Sequence, residues 1–282
     1  MALGLESLAT AYGLASALAW GASDFWGGYA SRRAAVLGVI LRSQLIGGAF
    51  LLILALVFSS GFPPLGHFLL GGLAGIFGVL GLVALYMGLA RGRMGIVAPI
   101  SALVTAFIPV IFSFFREGLP PPTKLIGFAL ALIAVWLLSA DRSEPGFSFN
   151  ELLLPLLAGT GFGLYFVLID QGTSESILWP LVGARGASLC LVGGLLLFSD
   201  SSGGISGRDL PFIVLAGVFD ALGNLFFALA ANLGRLDVSA VLASLYPAAT
   251  VILAWAILKE RLRMLQWAGV LSAAVGLILI SI

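Results

Sequence analysis

Long apolar runs fill this chain, and short charged or Pro/Gly-rich breaks interrupt them. A helix that crosses hydrocarbon needs roughly 20 mostly apolar residues. The breaks divide the sequence into about ten such spans: 9–30, 36–58, 66–90, 95–115, 122–140, 151–170, 177–198, 209–233, 237–257 and 264–281. The longest polar breaks, Asp141–Asn150 and Ser199–Asp209, are rich in Ser, Gly and Asp. Neither is long enough to form a separate soluble domain.

The same pattern contains a repeat. Leu215–Gly223 reads LAGVFDALG, and 142 residues earlier Leu73–Gly81 reads LAGIFGVLG, with six of nine positions identical. Gly78 stands where Asp220 stands in the later copy. The offset also places Gly92-Arg93-Met94 on Gly234-Arg235-Leu236 and Gly127 on Gly269. Arg42 and Arg185 match at 143, as do Glu117 and Glu260, so small insertions are expected. The repeat divides the chain into residues 1–142 and 148–282, each with five spans. Five is odd, so the second half must enter the membrane from the opposite side. Such inverted repeats are common in transporters whose halves rock about a midplane site.

Composition agrees with this picture. Hydrophobic residues make up 60% of the chain, charged residues only 10%, and the mean hydropathy is +1.13, whereas soluble domains carry about 25% charged residues. The 37 glycines suit close approach of helix backbones in lipid. The predicted class is an all-α membrane protein. A net charge of +1 gives no reason to expect nucleic acid. The first residues lack a basic segment and read as a first span, not a cleaved signal peptide. A single cysteine, Cys190, excludes an intrachain disulfide. Odd-numbered loops hold nine Lys/Arg residues and even-numbered loops three. That asymmetry places the odd loops in the cytoplasm and both termini outside the cell membrane.

On these residues the chain resembles the EamA-like carriers of the drug/metabolite transporter superfamily. Trp20-Gly21-Ala22-Ser23-Asp24-Phe25 is similar to the family's first-helix Trp-Gly-Ser-Asn-Phe pattern, with Asp24 in place of Asn. Phe162-Gly163-Leu164-Tyr165 occupies the matching place in the second half. Leu242-Ala243-Ser244-Leu245-Tyr246-Pro247, followed by Lys259-Glu260-Arg261-Leu262, resembles the family's ninth helix and its Glu-Arg-Leu ending. The resemblance implies a carrier for small metabolites with a central cavity between the repeats. Substrate identity does not carry over with a fold.

Asp220 lies near the middle of the eighth span, where a carboxylate costs about 2.5–3.5 kcal/mol and should face protein or a water-filled cavity. Asn224, one turn on, shares its helix face. Asp24 is nearer a helix end, where the alternative to a cavity position is an interfacial pair with Arg32 or Arg33. A proton becomes a further partner if either aspartate is protonated by desolvation. Arg42 and Arg185 are expected to snorkel toward opposite interfaces as symmetry-related anchors or ion pairs. Trp20, Tyr86, Tyr165 and Tyr246 are amphipathic aromatics away from the interfacial belt, available for stacking or hydrogen bonding. Pro99 and Pro247 interrupt helical hydrogen bonding and can kink or hinge their spans. The Gly71, Gly75, Gly78 stripe reads as helix packing. His67 and Cys190 have no metal-ligand neighbours in sequence.

The resulting expectation is a secondary carrier, an exporter working by alternating access without ATP, acting as monomer or homodimer. No Walker pattern, HExxH or Gly-x-Ser-x-Gly motif points to hydrolysis, and neither a cofactor nor a metal is expected. The expected substrate ligands are Trp20, Asp24, Tyr165, Asp220, Asn224 and Tyr246. Amino acids fit these best, with cationic drugs as the alternative. Organic phosphates fit less well, because no Arg or Lys is expected at the midplane.

Overall fold

The computed structural model describes residues 2–31, 33–59, 61–90, 94–139, 152–197, 207–258 and 264–281, and every regular element among them is an α-helix. The first half comprises α1 (Ala2–Ser31), α2 (Val36–Phe58), α3 (Leu65–Ala90), α4 (Met94–Glu117) and α5 (Pro122–Ser139). The second comprises α6 (Leu153–Gly172), α7 (Leu178–Leu197), α8 (Leu210–Leu233), α9 (Leu236–Ala243), α10 (Tyr246–Leu258) and α11 (Met264–Ser281). Helices α9 and α10 form one span, Leu236–Ile257, interrupted at Ser244 and Leu245. The two halves are inverted five-span repeats, with α1–α5 corresponding to α6, α7, α8, α9/α10 and α11. Helix α1, at 30 residues, starts seven residues before the predicted span and is the least apolar of the long helices.

The most extensive contacts run between the halves. Helix α1 packs on α8 as α6 packs on α3, α2 meets α7 and α8, and α5 lies against α11. Close approach requires small residues at the crossings. A Cβ on Gly71 would stand 2.2 Å from the carbonyl oxygen of Pro180, and one on Gly75 would stand 2.0 Å from that of Ala184. The repeat mate Gly217 is pressed against the carbonyl oxygen of Ser43, at 2.5 Å. Hydroxyls add hydrogen bonds where no water competes: Ser16 donates to the Gly223 carbonyl, Ser23 to that of Ala216, and Ser188 to that of Gly75, at 2.8–2.9 Å.

These contacts correct the register read from sequence for the second and seventh spans. Gly75 meets Ala184 whereas its mate Gly217 meets Ser43. Likewise Ser188 reaches Gly75, and Gly47 abuts Gly217. Both comparisons pair α2 with α7 at an offset of 141, the separation of Gln44 and Arg185. Ile40, Val79 and Val192 form one buried cluster, and their mates Leu181, Ala221 and Leu51 lie together in another. The mate of Arg185 is therefore Gln44, not Arg42. Arg42 is exposed on α2, consistent with a snorkelling side chain, whereas Arg185 is buried. Two mates touch each other directly: Ser272 donates to the Leu130 carbonyl across 142 residues, marking the pseudo-two-fold axis.

The ninth span breaks outright where a kink was expected. Pro247 has no N–H for the Ala243 carbonyl, and it sits in the first turn of α10, where proline is tolerated. Bonds from Leu245 N–H to the Leu242 carbonyl and from Ala248 N–H to the Leu245 carbonyl tighten the chain through the turn. The side chains of Tyr86 and Pro99 lie outside the described residues. At the even-loop face, Arg235 ties the halves together. It pairs with Asp237 at 2.8 Å and Glu117 at 3.6 Å, and donates to the carbonyl of Gly118. Gly118 ends α4 at a positive φ of 78°, a conformation that suits glycine.

Gly75→Ala places a methyl group against backbone that cannot yield. It is expected to destabilise the protein by about 1–3 kcal/mol, read as a lower melting temperature in detergent. Gly28→Ala, which meets nothing within 4 Å, should leave melting unchanged or raise it.

Candidate substrate site

A cavity lies between the halves. Its wall takes Trp20 and Asp24 from α1, Gln44 from α2, a stripe of α3 from Gly75 to Leu85, and Thr105 from α4. The second half contributes Phe162, Tyr165 and Phe166, Leu181 to Ser188 of α7, Asp220 and Asn224 of α8, and Tyr246 at the start of α10. All six residues singled out from sequence thus line a single space. Its volume is about 100 Å³. A water needs about 10–15 Å³ on this measure, so the space suits a molecule of about ten non-hydrogen atoms.

The polar floor is built around Arg185, which sequence reading placed at an interface. It lies in the middle of α7, 7% exposed, and its Nη1 donates to Gln44 Oε1 and Asp220 Oδ2, both at 2.5 Å. Gln44 Nε2 donates in turn to Asp220 Oδ2 at 3.3 Å. Gln44 and Arg185 are repeat mates, so this hydrogen bond also lies on the pseudo-two-fold axis. Asn224 Nδ2 donates to the carbonyl of Asp220 at 2.5 Å and to its Oδ1 at 3.3 Å. The Tyr165 hydroxyl donates to Asn224 Oδ1. A continuous chain therefore runs Gln44–Arg185–Asp220–Asn224–Tyr165. Gly78, the mate of Asp220, has no side chain, and a Cβ there would meet the Tyr165 ring at 3.0 Å.

Asp24 differs from Asp220. Among the described residues its carboxylate has no hydrogen bond or ion pair, and it feels Asp220 as a neighbouring like charge. The hydroxyl of Tyr246 and the Nη2 of Arg185 are buried without hydrogen-bond partners among the described residues. The cavity also has aromatic lining. Trp20 stacks on Phe166 at 5.3 Å, and Phe166 on Phe227 at 4.1 Å. Trp20 is held from behind by Gly223, where any Cβ would stand 2.5 Å from the indole.

Sequence reading missed Arg185, Gln44 and Phe166 as cavity residues. The first two could have been found from the small residues flanking them: Ser43 and Gly47 on α2 recur as Ala184 and Ser188 on α7, with the same spacing of four. The expectation of no midplane Arg or Lys is overturned by Arg185, and with it the reason for disfavouring anionic groups. Of the other residues singled out from sequence, Gly75 and Gly78 line the cavity, whereas His67 and Cys190 do not. His67 is in the first turn of α3, 3.7 Å from Glu175 and 3.3 Å from Ser174. Cys190 is an exposed thiol on α7. No cluster of potential metal ligands occurs among the described residues.

The family model of the EamA-like transporter family matches this chain twice, over residues 7–140 and 150–282. The protein belongs to that family and is a multi-pass membrane transporter of small molecules. A crystal structure of a protein superposes on 97% of this chain and 96% of its own with a TM-score of 0.81. At 17% identity this likeness shows a shared fold. The uncharacterized protein MJ1333.1 of Methanocaldococcus jannaschii is 29% identical over 135 residues, which is 47% of this chain and 97% of that protein. That relative is about as long as one of the two repeats.

Asp220→Asn removes the counter-charge of Arg185 and leaves a buried guanidinium unpaired. It is expected to cost about 3 kcal/mol, while Arg185→Gln combined with Asp220→Asn restores most of that loss. Melting of the two variants in detergent measures the difference.

Proposed function

We propose that the protein is a secondary-active exporter of small amphiphilic metabolites such as amino acids. It works by alternating access, with substrate held between the two repeats and no chemical step. The observation that carries this reading is the shared cavity, walled by helices of both halves at mid-membrane depth. A site built from both repeats is exposed to one side or the other when they rock about it. Within it, Trp20, Tyr165 and Tyr246 offer surface to an apolar side chain, and Asp24, Asp220 and Asn224 offer acceptors to an ammonium. The distribution of Lys and Arg among the loops supports cytoplasmic odd-numbered loops and termini outside the cell membrane.

Export of a cationic drug in exchange for protons is the second reading. The unpaired Asp24 favours it, since a cavity carboxylate without a partner can take either a cation or a proton.

Counterflow in proteoliposomes tests the carrier reading. Saturable uptake of labelled amino acid, stimulated by the same amino acid inside, is the expected result. Unsaturable flux without trans-stimulation would identify a channel instead. Trp20→Ala removes the stacked wall and is expected to slow exchange at least tenfold while the protein still melts cooperatively.

A further inference from the structure

The charged groups of the cavity define what a substrate must carry at each end. Arg185 uses Nη1 for both Gln44 and Asp220, leaving Nη2 buried without a partner. A guanidinium presents its donors as a planar fork that suits a carboxylate, so the free arm has capacity for one more anionic oxygen. The residue is more than nine-tenths buried, and an unused donor there is costly unless something completes it. The opposite need exists a few side chains away. Asp24 faces the same space with an unengaged carboxylate, and Asp220 is its charged neighbour. A cation set between the two aspartates would relieve their repulsion.

We infer that the cavity is a receptor for zwitterions, in which Arg185 takes the substrate carboxylate and Asp24 together with Asp220 takes its ammonium. Bound in this way, the substrate extends the existing ion pair and does not break it. Signs then alternate along the row: substrate carboxylate, Arg185, Asp220, substrate ammonium, Asp24. A purely cationic molecule satisfies the aspartates but leaves Nη2 unused. A purely anionic molecule satisfies Arg185 but adds to two carboxylates already present. The aromatic wall of Trp20 and Phe166 then receives the apolar remainder of the substrate. Recognition thus depends on Arg185 as much as on the acids. The assignment rests on the carrier reading and sharpens it to one charge class.

The test uses purified, full-length protein and two charge series, built on leucine and on phenylalanine. Each series holds the free amino acid (zwitterion), its methyl ester (cation) and its N-acetyl derivative (anion). Thermal shift and counterflow of the wild type should favour the free amino acid at least tenfold over both derivatives. In Arg185→Gln/Asp220→Asn only Asp24 remains charged, so the order should invert: the free amino acid loses at least tenfold and the ester is unchanged or tighter. Arg185→Lys keeps the charge but loses the fork, and should weaken the free amino acid alone. This second variant decides the matter if the double variant does not fold. Wild type that takes ester and free amino acid equally well overturns the zwitterion assignment, as does a double variant that keeps the original order. In both cases exchange still occurs and the carrier reading stands. Absence of saturable exchange with every compound in both series overturns the carrier reading and the inference with it.

Discussion

In hydrocarbon the hydrophobic effect does not drive one helix onto another, because lipid tails are as apolar as leucine. Contact must come from tight packing and from polar groups with nowhere else to go. The fold answers that constraint at the crossings of α3 with α7 and of α2 with α8, where Gly71, Gly75 and Gly217 let backbones touch. Ser16, Ser23 and Ser188 fasten side chains of one half to carbonyls of the other. Because the strongest contacts run between halves, neither half is a separate body carrying its own core. The cavity is the space these crossings leave open, and its shape follows from where small residues give way to large ones.

The repeat supplies the frame, and departures from it supply the chemistry. Leu73 and Leu215 face outward toward lipid, while Ala74, Ala216, Gly75 and Gly217 are buried at crossings. These shared positions hold the same structural place twice. Asp220 and Gly78 occupy one equivalent place, as do Arg185 and Gln44, and none of the four matches its mate. Asp220 interrupts the repeated LAG phrase, yet its charge is already matched by Arg185 at 2.5 Å. Among the described residues the cavity carboxylate without a partner is Asp24, whose place in the second half is taken by Phe166.

The spans, the inverted repeat and the family were legible in the sequence, because membrane crossing leaves a long signal and the LAG motifs are nearly identical. Six cavity residues were also legible, since polar and aromatic side chains at helix centres have few other places to go. The position of Arg185 was not. Matching arginine to arginine placed α7 two residues out of register, and on a helix two residues move a side chain more than half a turn. The true register is carried by Ser43, Gly47, Ala184 and Ser188, whose small size registers only once the partner backbone is known. The break at Ser244 and Leu245 was foreshadowed by Pro247, whereas the close approach of Gly21 to the Tyr246 carbonyl just beyond it has no signal in the sequence.

A residue on a two-fold axis meets its own copy. In a dimer of two identical five-helix chains, the position of Arg185 would bring one guanidinium against another in the middle of the bilayer. Here an amide stands opposite instead, because both halves belong to one polypeptide and can diverge independently. The hydrogen bond between Gln44 and Arg185 is thus one that two identical chains could not form across their own axis. With unlike halves the axis can hold a single charge, and the cavity around it is polar in a way that the repeat alone would not make it.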